Sequence, residues 1–93
     1  MEYNFHIDPG HGWIEVPFKE LVSLGIEQEI SKYSYRDGDI CYLEEDCDYS
    51  TWRNAHELQY GNVLKINEIR YDRCGDPECF IRSLPRYFHI SQS

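Results

Sequence analysis

Alternation of apolar and polar positions opens the chain. In "YNFHID" (3–8), Tyr3, Phe5 and Ile7 alternate with Asn4, His6 and Asp8, a period of two that predicts a strand. "PGHG" (9–12) then breaks the pattern, with Pro9 preset for the first central position of a turn and Gly10 able to take positive φ at the second, a type II turn. "WIEV" (13–16) returns as a second strand. Pro17 suits the first turn of a helix over 17–25, with Phe18, Leu21 and Val22 on one face and Gly25 as its stop. Residues 26–35 fit no single period. "RDGD" (36–39) reads as a turn into the strand "ICYLEE" (40–45). A second helix is expected over 48–61, with Asp48 as N-cap, Gly61 as stop and a buried stripe of Trp52, Ala55, His56 and Gln59. In that helix Tyr49 and Leu58 fall at the margins of the stripe. Residues 63–72 and 79–84 alternate again and suggest a closing hairpin around "CGDPE". The expected fold class is α+β: one small domain over 1–93, a mostly antiparallel sheet with two helices.

Length and composition agree with that. Ninety-three residues with 41% hydrophobic content and 14 aromatics, eight of them tyrosine, supply one core with little area for a deep cleft. No repeat, linker or low-complexity stretch interrupts the chain. Net charge is −8, which opposes binding to phosphate backbones and anionic membranes, so no direct nucleic-acid or membrane partner is expected. No apolar run approaches the ~20 residues that span a bilayer, and the first residues carry no secretion signal. A cytoplasmic location is the expectation. The cysteines at 41, 47, 74 and 79 would then be reduced thiols, since their spacings miss the two-residue knuckle of structural zinc sites.

The charge is unevenly placed. Residues 37–48 hold six of the 17 acids (Asp37, Asp39, Glu44, Glu45, Asp46 and Asp48) and no base. Solvation and a helix N-terminus account for Asp46 and Asp48. They account poorly for Glu44 and Glu45, which as consecutive strand residues face opposite sides, so one should approach the core.

"DPGHG" after a strand resembles the opening motif of one class of zinc peptidoglycan amidases, whose histidine binds the metal. That resemblance implies a downstream glutamate and a second histidine as further ligands. The later histidines here are His56, on the buried stripe, and His89, four residues from the end. A catalytic zinc needs three protein ligands. The expectation is therefore an exposed turn histidine at His11, with no metal, no cofactor and no catalytic residue. A broader likeness covers about residues 8–48. "DPGHGW", "YSYRDGD" and "YLEEDCD" resemble a group of small uncharacterised proteins encoded by bacteriophages, prophages and plasmids, which implies a mobile-element context and no particular activity.

These observations favour a small acidic, non-catalytic binding protein that occupies a basic site on a host protein, of the kind that grips nucleic acid. Asp37, Asp39, Glu44, Glu45 and Asp46 would steer the encounter, and Trp13, Tyr33 and Tyr35 would supply contact area. One alternative is a metal-binding module using Glu44, Glu45, Asp46 and Asp48 as hard oxygen ligands. The other is a small zinc hydrolase around the DPGHG motif, using His11, His6 and Asp8, of which His6 and Asp8 share a strand face.

Overall fold

A computed structural model describes residues 2–61, 64–71 and 80–88. The elements run β1 (Glu2–Ile7), β2 (Gly12–Pro17), α1 (Phe18–Ser23), β3 (Tyr35–Asp37), β4 (Ile40–Glu44), α2 (Tyr49–Tyr60), β5 (Lys65–Arg70) and a 3₁₀ turn, Phe80–Ser83. The five strands form one mixed sheet in the order β3-β4-β2-β1-β5. Neighbours pair antiparallel except β1 with β5, which are parallel with Glu2 opposite Lys65 and Ile7 opposite Arg70. The fold is thus a small α+β domain, as the alternation predicted.

Register explains where the core lies. Phe5 pairs with Ile14, Ile14 with Leu43, and Val16 with Cys41, so these residues share one face. Tyr3 joins them two positions before Phe5, and with Leu21 and Trp52 they build the main core, where the helices pack. The opposite face carries His6, Trp13, Tyr42 and Tyr35, again by direct pairing or period two. Trp13, Tyr35 and Tyr42 form a second apolar cluster with Ile81. Both faces are therefore covered, which makes Trp13 and Tyr35 interior residues (1% and 7% exposed) rather than exposed contact area.

The expected closing hairpin is not formed. β5 lies along β1 in parallel, because α2 carries the chain back to the start of that strand's direction, as parallel pairing requires. Phe80–Ser83 coils instead into a 3₁₀ turn that sets Ile81 and Leu84 three apart on the same side, and both pack in the second cluster. Residues 72–79, with Cys74 and Cys79, lie outside the described residues. From the turn the chain runs past β3: Arg36 N donates to Pro85 O (3.0 Å), Tyr87 N to Ser34 O (2.8 Å), and Tyr35 bridges Arg86.

Both helices sit where the pattern placed them, with changes in the faces. α1 buries Phe18 and Leu21, while Val22 is half exposed because six residues make too short a helix to carry a third core position. α2 buries Trp52 and His56; Gln59, expected in the stripe, is exposed, as is Leu58. Gly61 ends it at φ 78°, a conformation glycine takes without steric cost. Asp48 occupies the N-cap position but makes no capping bond. It is buried, and its carboxylate accepts hydrogen bonds from Ser31 N (2.9 Å), Ser31 Oγ (2.7 Å) and Ser34 Oγ. That carboxylate fastens the 26–34 stretch to the start of α2.

The 8–12 turn is held differently from expectation. Positive φ occurs at Gly25, Gly38 and Gly61 among the described residues, not at Gly10, so the turn is not type II. Asp8 holds it instead: its Oδ1 accepts from Gly10 N (2.9 Å) and His11 N (2.8 Å), and its own N–H donates to His11 O (2.9 Å). Gly12 is required for close packing. A Cβ there would stand 2.6 Å and 2.8 Å from two ring atoms of Phe5. Gly12→Ala should therefore lower stability by about 1–3 kcal/mol through overpacking, read as a drop in denaturation midpoint at unchanged slope; an unchanged midpoint would mean that the Phe5 ring moves aside freely.

Candidate functional site

Pairing of β2 with β4 sets Trp13 opposite Glu44, and the ladder continues one step further as Glu45 N donates to Gly12 O (2.9 Å). The 8–12 turn and the β4–α2 junction thus meet at one end of the sheet. Between them opens a cavity of about 380 Å³ whose floor holds Trp13, Tyr35 and Glu44. His11, Asp46, Cys47, Tyr33 and Arg86 complete its wall. The Arg86 guanidinium stands over the Tyr35 ring, 4.7 Å from its centroid.

Glu44 is the acid that approaches the interior, as two consecutive strand carboxylates required. Its Oε2 accepts from the backbone N–H of Asp46 (2.9 Å) and Cys47 (3.0 Å), so it closes the junction before α2. Its Oε1 lies 3.4 Å from His11 Nδ1, and the Glu44 side chain is 8% exposed against 46% for His11. His11 is therefore exposed at a turn, as expected, but faces a buried carboxylate. The ligand atoms of His11, Glu44 and Asp46 all lie within 4.8 Å of one another.

Of the eight residues proposed from sequence, Trp13, Tyr33, Tyr35, Glu44 and Asp46 line this cavity. Asp37 and Asp39 do not. They are exposed beside the β3–β4 turn, at the other end of β4, so the acidic run forms two groups rather than one surface. Glu45 is exposed and Tyr33 is 65% exposed. The two alternative ligand sets do not come together as the sequence suggests. Asp48 is engaged by Ser31 and Ser34, away from Asp46 as a ligand, and Asp8 holds its own turn. His6 is buried between Glu15 Oε1 (Nε2, 2.7 Å) and Tyr71 Oη (Nδ1, 2.9 Å), not beside Asp8 or His11.

The thiols differ in setting. Burial pushes the Cys41 thiol up to about 12, with Arg36 partly opposing the shift, so it is an inert core group. The Cys47 thiol is also raised, by loss of solvent around the sulfur, by its hydrogen bond to Glu44 and by the charges of Glu44, Asp48 and Asp46, although the residue is exposed overall. Neither is an activated nucleophile. Sequence reasoning had set His11 aside and missed Arg86 and Cys47 as wall residues. The usable signal is the partner of "GW" across the sheet, since the β2–β4 register brings "HGW" to "EED". Among the described residues no helix is long and apolar enough to cross a membrane. No protein-family model matches the chain, and neither a curated protein nor a solved structure matches it.

Proposed function

We propose that this chain is a non-catalytic binding protein of a mobile element, and that it engages a basic surface of a host protein through the end of the sheet where the cavity opens. The observation that carries the reading is the convergence of Tyr33, Tyr35, Trp13, Glu44 and Asp46 on one concave site. Two carboxylates beside the exposed Tyr33 ring suit a lysine or arginine side chain: the acids supply charge, and Tyr33 supplies area and cation–π attraction. The guanidinium of Arg86 already over Tyr35 supports that fit. Exposed Glu45 beside the rim would add to the steering field, and Asp37 and Asp39 would act from the far end of β4. Residues 37–48 contain no base, so the acids there are opposed only by Arg86 among the lysines and arginines of the cavity wall.

The test is kinetic, on a partner first captured from host lysate. The variant carrying Glu45→Gln and Asp46→Asn removes two charges while leaving Glu44, whose carboxylate closes the β4–α2 junction. Association should slow on the order of tenfold at low salt, and the difference should shrink as salt rises, because exposed charges are screened over ~10 Å at 0.1 M. Tyr33→Ala should mainly speed dissociation. Equal association rates for variant and parent across the salt series would refute the steering role and leave the carboxylates as solvated surface.

A further inference from the structure

We infer that His11, Glu44 and Asp46 form a zinc site, with a fourth coordination position open to the cavity. Three features of the geometry support this. The first is the spacing of His11 Nδ1 and Glu44 Oε1. They stand 3.4 Å apart in an ion-pair contact, close enough for one cation to reach both. A tetrahedral zinc with bonds of ~2.0–2.1 Å separates neighbouring ligand atoms by ~3.3–3.4 Å. The observed pair already spans one edge of that tetrahedron.

The second feature is Glu44 itself. More than nine-tenths of its side chain is buried, and its two oxygens have different roles. Oε2 is held by the N–H groups of Asp46 and Cys47, while Oε1 faces the cavity and His11. Backbone donors on one oxygen orient the other, as outer hydrogen bonds do for metal-binding carboxylates. A buried carboxylate aimed into a cavity is stabilised by a cation placed there.

The third is completeness. The three ligand atoms fall within 4.8 Å of one another, and Asp46 is exposed at the cavity wall. One imidazole and two carboxylates form a nitrogen–oxygen set that suits zinc, and a divalent ion would neutralise both carboxylates. His11 is then fixed by the turn that Asp8 holds rather than left free at a tip.

This inference does not rest on the host-protein reading, and it is read on the purified protein alone. The two share a cavity, so bound zinc and an incoming basic side chain would weaken each other reciprocally. Chelator-treated protein under reducing conditions is titrated with zinc chloride by calorimetry, and circular dichroism verifies that each variant folds. One zinc per chain should bind. His11→Ala and Asp46→Asn should each weaken binding by at least ~10-fold, while Glu68→Gln, on β5, should leave it unchanged. Failure to bind at ~100 μM zinc, where even a weak site of −5 to −6 kcal/mol begins to fill, would overturn the site. Undiminished binding by His11→Ala would overturn it equally, since the zinc would then sit elsewhere.

Discussion

Replacing Trp52 with alanine should remove about 3–5 kcal/mol of stability, the range for emptying a large aromatic site in a core. The side chain is fully buried and does more than fill volume. Its Nε1 donates to Glu20 Oε2 (2.7 Å), and Glu20 Oε1 accepts from Tyr3 Oη (2.6 Å), so one carboxylate joins α1, α2 and β1. Tyr3 also meets the Trp52 ring edge-on, with centroids 4.9 Å apart. Truncation therefore leaves a cavity and takes one donor from Glu20. Trp52→Phe keeps most of the ring area but not the N–H, and should lose less. Chemical denaturation of the three proteins gives the comparison. If Trp52→Ala unfolded at the parent's midpoint, the packing of α2 against the sheet described above would be wrong.

Asp48→Ala should cost about 3–4 kcal/mol, more than the ~1 kcal/mol of an ordinary cap. As an N-cap it would have satisfied backbone N–H groups of its own helix. Here it receives three hydrogen bonds from Ser31 and Ser34, and Ser34 Oγ in turn accepts from Glu44 N (2.9 Å). Alanine leaves those donors buried or half-buried without an acceptor. Asp48→Asn retains an acceptor and should recover part of the loss. Because the same stretch carries Tyr33, the alanine variant should also loosen the cavity wall, visible as faster amide exchange at residues 31–35. An effect no larger than that of a simple cap, with exchange unchanged, would mean that the loop holds itself.

Much of the architecture was legible because it depends on local period and punctuation. The alternation of Tyr3, Phe5 and Ile7, the run around Leu43, and the Asp48-to-Gly61 helix window all correspond to elements. The 26–34 stretch was not legible, since it is held by side chains distant in sequence, Asp48 above all, and by Ser34 O accepting from Tyr87 N. The misplacement of Trp13 and Tyr35 on the surface has one origin. A sheet with polar positions such as His6, Glu15 and Glu44 on its second face reads as solvated on that side, yet Ile81 and Leu84 cover part of it. Their approach depends on a 3₁₀ turn that short-range alternation resembles a strand too closely to reveal. At the cavity, strand pairing rather than proximity in sequence brings the Glu44 carboxylate to His11.

The parallel seam between β1 and β5 governs the order in which the molecule can be completed. Strands β1 to β4 join neighbours through antiparallel pairing within residues 2–44, whereas β5 reaches β1 only after α2 has formed its bridge in the chain. Closing that distance costs loop entropy before any ladder bond returns it, so this step belongs late on the folding route and slows it. During synthesis the second strand from the sheet's edge would wait, one side unpaired, until residue 70 has emerged. β1, the first strand made, is the last to be enclosed.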